Sequence, residues 1–205
     1  MSEAAPAHPR RRNDPVAVRR RILDAAADAF QADGYHATST HMVMRLARVT
    51  SGALHHHFPT KKDLGLAVIR ERVALAIEQT WLQPVQRAKS ARAGILTVFD
   101  RTATALEQRG SVQGCPLNNL ALELSTADED IQAALHALFQ YWQEGLRERI
   151  AVDQATGYLP GRDADALASF VIAAYSGSMA MAKVSQCAAP LRTCATQIEA
   201  MLATG

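Results

Sequence analysis

The sequence predicts an all-α protein, and three observations carry that prediction. Aromatic residues make up only 5% of the 205 and glycine 11 positions, while Ala, Leu, Arg, Gln and Glu, among the stronger helix formers, are abundant. Apolar residues recur at steps of three and four along most of the chain, the period of a helix with one buried face. Ser, Thr or Asp precedes most of these stretches, where a side-chain oxygen satisfies the free amides of a first turn. About nine helices follow from these signals, in a small N-terminal domain (13–62) and a larger helical bundle (63–205) behind a short arm (1–12). At 48% apolar content the chain has ample material for a core in one domain or two small ones.

Met1 to Arg12 is rich in Ala, Pro and Arg and has no period. It reads as a disordered basic arm, with Arg10, Arg11 and Arg12 suited to phosphate or minor-groove contacts and a merely solvated tail as the competing reading. Asp14 and Pro15 start the first helix, one as cap and one at the first helical position. Val18, Ile22, Ala25, Ala26, Ala29 and Phe30 form its stripe, and Gly34 ends it. Ser39 caps a short helix from Thr40 to Ala47, and after a tight turn Thr50 caps another that runs to His57. Phe58-Pro59 breaks it, and Thr60 caps a long helix that Gln83-Pro84 is expected to interrupt.

Ser90 opens a helix to Gln108 with Ile95, Leu96, Phe99, Ala103 and Leu106 inward, and Cys115-Pro116 starts the next, carrying Leu117, Leu120, Ala121 and Leu124. Thr126 and Glu129 read as a capping box for an amphipathic helix with Ile131, Leu135, Leu138, Trp142, Leu146 and Ile150 in its stripe. Gly157 to Gly161 forms a loop. Asp163 caps a helix from Ala164 to Ala188 that is apolar nearly all round, so it needs cover on both sides. Pro190 separates it from a last helix carrying Leu191, Ile198 and Leu202.

Charge is unevenly distributed. Residues 1–62 hold ten Lys and Arg against five Asp and Glu, net +5; residues 63–205 hold twelve against fifteen, net −3. The basic end is the end with two short helices across a tight turn, the helix-turn-helix pattern whose second helix enters the major groove. With the helix-turn-helix there, phosphate neutralisation is a better account of the excess of cations than a merely solvated face. Three cysteines, Cys115, Cys187 and Cys194, without a C-x-x-C pair, predict a reducing compartment. No apolar signal-peptide core stands near the N-terminus, and no uninterrupted apolar run reaches the roughly 18 residues of a membrane span, so a cytoplasmic protein is expected.

The stretch from Thr38 to Lys61 resembles the DNA-binding domain of TetR/AcrR-family transcriptional regulators. Thr38, Ser39, Val43, Ala47, Val49, Thr50, Gly52, Leu54, His57, Phe58, Lys61 and Leu64 stand in register with that family's pattern. The departures are Thr40 for Val, Met44 for Ala, His55 for Tyr, and Arg48 for a turn glycine that ordinarily supplies a positive φ. Gly114 to Glu123, Gly-Cys-Pro-Leu-Asn-Asn-Leu-Ala-Leu-Glu, looks like a signature found in one subset of the family's regulatory domains.

The resemblance implies a homodimeric, ligand-responsive repressor that a small molecule releases from an inverted-repeat DNA operator. It implies DNA contacts from Ser39, Thr40, Thr50, Ser51, Gly52, Ala53, His55, His56, His57 and Lys61, with the histidines at phosphates and bases. Small residues at 51–53 bring the backbone close to the groove and leave Ala53 for a thymine methyl, His56 and DNA shape to specify sequence. Cationic imidazole binds phosphate more tightly, so affinity should rise below about pH 6.5. Two terminal helices from each subunit would form the dimer interface, through Leu167, Phe170, Val171, Ala174, Ser178, Met181, Ile198 and Leu202. The effector pocket is expected around Phe99, Leu117, Asn118, Leu122, Trp142 and Tyr175, chosen for apolar bulk with one amide.

No cofactor and no metal are expected. His55, His56 and His57 are consecutive, and neighbours on a helix point about 100° apart, whereas chelation needs one-turn spacing. No nucleophile elbow, Gly-rich phosphate loop or H-E-x-x-H occurs, which argues against an enzyme. Cys187 and Cys194 flank Pro190, where inert thiols and a redox pair are both open readings. A ligand-independent DNA-binding or architectural protein is the competing class.

Overall fold

Nine helices and no strand make up residues 14–157 and 162–203, the part of the chain that this computed structural model describes. The basic arm and most of the loop after Gly157 fall outside the described residues. The helices are α1 (Pro15–Asp33), α2 (Thr40–Ala47), α3 (Ser51–His57), α4 (61–87), α5 (Ala91–Arg109), α6 (Pro116–Leu124), α7 (Glu129–Ala155), α8 (Ala164–Ser185) and α9 (Ala189–Ala203).

Local chemistry sets most of the helix starts. Asp14, Ser39, Thr50, Ser90 and Asp163 each accept a first-turn amide, and Thr60 and Asp63 form a reciprocal capping box. The cap of α7 differs from expectation. Asp128, not Thr126, accepts the amides of Asp130 and Ile131. Residue 126 lies instead in a turn closed by Ala127 N–H on Leu124 O, and the Asp128 carboxylate is also paired with Lys62 at 2.7 Å. A charged acceptor serving two amides and a cation prevails over a hydroxyl.

Pro84 does not interrupt α4. Hydrogen bonding widens to i→i+5 over Ile69–Val73 and again over Glu78–Leu82, and the second widening stands immediately ahead of Gln83 and Pro84. Extra room in that turn accommodates the missing donor, and the helix continues to Arg87. α8 ends at Ser185, short of Ala188, because Gln186 turns left-handed at φ 49°, ψ 38°. Its side chain is held by Val112, whose N–H donates to Oε1 at 3.0 Å and whose carbonyl accepts from Nε2 at 3.0 Å.

The small N-terminal core joins Ile22, Leu23, Ala26 and Phe30 of α1 to Val43, Leu54, Phe58 and Leu64. The bundle core centres on four rings: Trp81 lies 5.8 Å from Phe99, 5.1 Å from Trp142 and 4.8 Å from Tyr175, in tilted and edge-on contacts. Gly94 lets α5 cross the end of α4, since a Cβ there would stand 2.6 Å from Val85 Cα. The buried Asp153 carboxylate ties the connection between them, accepting from Ala91 N–H at 2.5 Å and pairing with Arg149, which also donates to Ala88 O.

Candidate nucleic-acid interface and effector groove

The turn between α2 and α3 is built without glycine. Arg48 takes φ 54°, ψ 50°, and Val49 N–H donates to Met44 O at 3.0 Å, closing α2 as a left-handed residue does. Thr50 then caps α3 by accepting Ala53 N–H at 3.3 Å. Leu54 is the buried anchor of α3, while Ser51, Gly52, His55 and His56 are exposed; an added Cβ on Gly52 would meet nothing within 4 Å. Ser39 and Thr50 are exposed beside them, and Thr40 is half-buried.

Two of the side chains expected at DNA also meet the chain itself. Ala53 is half-buried and lines a hollow of about 830 Å³ between α1 and the turn. Lys61 carries its ammonium 4.5 Å above the Tyr35 ring and 3.3 Å from His36 O, bracing the α1–α2 loop. Burial lowers its pKa, against the attraction of Glu123. His57 is half-buried, and burial, His56 and Arg19, in that order, hold its imidazole below the ordinary range. Arg45 and Arg48 are exposed and make no ion pair among the described residues. The resemblance gave Arg45 no role and marked Arg48 only as a departure from the family's turn glycine.

Carboxylates tie this domain to the bundle. Arg19 pairs with Glu71 at 2.5 Å and Arg72 with Asp24 at 2.7 Å, joining α1 to α4. Lys62 bridges Asp128 and Asp130 at 2.7 and 2.6 Å. Gln31 on α1 donates to Gly114 O at 2.8 Å, and Asn119 donates to Gln31 Oε1 at 3.3 Å.

An open groove of about 690 Å³ lies between α4, α5 and α8 and reaches α1. Val98, Leu106, Tyr175 and Met179 form its buried floor. Gln79, Thr80, Arg101 and Arg109 form its exposed rim, with Asp28 and Gln31 at the α1 end. Burial pushes the Tyr175 hydroxyl pKa up, so it stays a neutral donor. Of the residues expected around a pocket, only Tyr175 lines this groove. Phe99, Leu117 and Trp142 are fully buried in the core, as apolar bulk at helical spacing ordinarily is, and Phe99 also lines a separate hollow of about 430 Å³ between α5 and α9. Asn118 is half-buried outside the groove, and Leu122 is 78% exposed on the outer face of α6.

The expected dimer residues also divide. Leu167, Val171, Ser178, Ile198 and Leu202 are buried inside their own chain and present almost nothing to a partner. Ala174 is half-buried, while Phe170 and Met181 are 47% and 64% exposed. The open face of α8 runs through Ala166, Phe170, Ala173, Gly177, Met181 and Val184, at steps of three and four. By length and composition α8 would suffice to cross a membrane, yet its other face packs into the bundle.

Two family models match this chain. Residues 22–68 match that of bacterial regulatory proteins of the tetR family, and residues 91–197 that of the C-terminal domain of LmrA/YxaF-like transcriptional regulators. The chain is similar to the HTH-type transcriptional repressor DhaR of Mycobacterium sp. (strain GP1), 26% identical over 183 residues that cover 85% of this chain and 86% of that one. It is 29% identical over 169 residues to an uncharacterised HTH-type transcriptional regulator in the lacX 3′ region of Lactococcus lactis subsp. lactis, covering 82% and 85%. Among solved structures, reduced NemR of E. coli has the same fold, with TM-score 0.84 over 92% of this chain and 98% of that one at 20% identity.

Proposed function

The chain belongs to the TetR family of bacterial transcriptional regulators, and from that premise we propose that it is a homodimeric, cytoplasmic repressor released from an inverted-repeat operator by a small molecule. The family is one of DNA-binding regulators, not of enzymes. The observation that carries the reading is the exposed face of α3 at the basic end of the chain, with Ser51, Gly52, His55 and His56 open to a partner. These four read the major groove, and Ser39, Thr40, Thr50, His57, Arg45 and Arg48 hold flanking phosphates.

The outer face of α8 supports dimerisation, since it is apolar and its own chain leaves it uncovered. Two α3 helices related by a dyad would then meet successive major grooves about 34 Å apart. The groove floored by Tyr175 supports an effector site, because it touches α5 and α8 and also Asp28 and Gln31 of α1. A ligand that fits the groove better in one arrangement of α1 against the bundle shifts the dimer toward that arrangement, by no more than its difference in affinity for the two.

Selection of bound DNA from a random pool by the full chain tests this reading. Recovery of a palindrome is the expected result. Recovery of single half-sites, or of no consensus, overturns the dimeric repressor.

A further inference from the structure

We propose that the effector is an amphipathic organic anion, a carboxylate on an apolar body, and that Arg101 and Arg109 on the groove rim hold its charge. This rests on the ligand-responsive reading above and names the chemistry of that same site.

The argument starts from which cations are already occupied. In the bundle, Arg72, Arg92, Arg147, Arg149 and Arg192 each hold a carboxylate. Arg101 and Arg109 make no ion pair or hydrogen bond among the described residues, although both stand on α5, the helix that also carries Asp100 and Glu107. Those two acids are engaged on the far side of α5 with Arg192 of α9, at 3.1 and 2.8 Å. The partition leaves the groove side of α5 positive. Arg87, also without a carboxylate, lines an adjoining cleft with Arg101 and lengthens the basic rim. Asp28, at the α1 end, is the one acid lining the groove among the described residues.

The rest of the lining suits the other end of such a molecule. Val98, Leu106, Met179 and the Tyr175 ring offer a buried apolar floor beneath the two guanidiniums. Eight residues along a helix rise about 12 Å, so an anion anchored at either arginine can lay its body toward the other end of the groove. A volume of about 690 Å³ falls within the range of small-molecule sites. Guanidinium recognises carboxylate through two parallel hydrogen bonds, so a neutral amide of the same shape loses the charged pair while keeping the apolar contact.

The test uses the full-length dimer and matched probes: octanoate, decanoate and phenylpropionate, each against its own primary amide, by calorimetry and by release of the selected operator. Carboxylates are expected to bind and to release operator at concentrations roughly tenfold or more below those of their amides. Arg101→Gln with Arg109→Gln should abolish the preference, and Arg70→Gln, an exposed arginine away from the groove, should keep it. Unchanged helicity and thermal midpoint in the double variant show that it folds. Amides equal to carboxylates overturn the proposal and leave a ligand-responsive repressor intact. A carboxylate preference that survives the double variant overturns the site. If neither carboxylates nor amides bind or release operator, the proposal fails; if a broad library of neutral and cationic compounds is then equally silent, the ligand-responsive reading fails with it.

Discussion

Glu123 holds Tyr35 by the backbone: one carboxylate oxygen of this α6 residue accepts Tyr35 N–H at 2.9 Å, and the other accepts the next amide, at His36, at 2.6 Å. The loop that joins α1 to the helix-turn-helix is therefore bound to the helical bundle by a charged acceptor. Gly34 makes the approach possible, at φ 88° and with the two Glu123 oxygens 3.1 and 3.4 Å from where a Cβ would stand. Removing the carboxylate leaves two amides short of an acceptor. Glu123→Ala should lower stability by about 1–3 kcal/mol, read as a shift of the urea midpoint. It should also uncouple the domains, so that operator affinity survives while effector release weakens. Unchanged release at lowered stability would show that the clasp is only structural.

Arg48 combines a conformational cost with an exposed position at the corner of the helix-turn-helix. A non-glycine residue at φ 54° is strained by Cβ contacts that glycine lacks. Arg48→Gly should therefore raise stability by about 1 kcal/mol, measured by chemical denaturation. The same change removes an exposed cation from the corner of the motif. Operator affinity should fall for all sequences alike, and the slope of log affinity against log salt should shrink by about one. A more stable variant with an unaltered salt slope would mean that Arg48 does not touch phosphate.

What could be read from sequence follows the range of the interaction. Helix starts at Asp14, Ser39, Thr50, Thr60, Ser90 and Asp163 were legible because each cap acts within one turn. The left-handed strain at Arg48 was legible from the residue that the motif ordinarily puts there. Pro84 was misread because the widened turn that accommodates it depends on the helix around it. On α8, Phe170 and Val171 are neighbours of like chemistry, one exposed and one buried, and only packing against α7 and α9 distinguishes them. The groove escaped for the opposite reason: polar residues, Gln79, Arg101 and Arg109, form its rim, and apolar bulk pointed to the core instead. Glu123 and Tyr35 are 88 residues apart, and no local rule joins them.

Acidification should act on DNA binding and on folding in opposite directions at His57. Burial, His56 and Arg19 hold this imidazole below its ordinary range, so the free protein keeps it neutral to a pH lower than the ordinary imidazole value of about 6.5. A phosphate favours the cation, so binding takes up a proton and operator affinity rises as pH falls. For folding, the unfolded chain binds the proton first. The contribution of His57 to stability is present above the unfolded value and is lost as pH falls through the depressed folded one. Titration of operator affinity at fixed salt should show the rise, and His57→Gln should remove its most acidic part. A flat profile in both proteins would exclude His57 from the phosphate contacts.

Cover for α8 is the remaining physical requirement. Its 22 residues extend about 33 Å, and Phe170, Met181 and Val184, at 47%, 64% and 89% exposure, present an apolar stripe along that length. The residues between them, Ala173 and Gly177, are small enough for another helix to approach closely. In a C2 pair the same stripe meets itself, so one substitution acts on both sides of the dyad. Phe170→Glu with Met181→Glu would bring like charges into an apolar contact, with no partner to neutralise them. Light scattering should give the mass of one chain for this variant, circular dichroism should keep the helical signal, and operator affinity should drop at least a hundredfold as half-sites are bound singly. Both side chains are open in the single chain, so its fold should tolerate the change. A variant that stays dimeric and binds operator as before would move the interface to another face of the bundle.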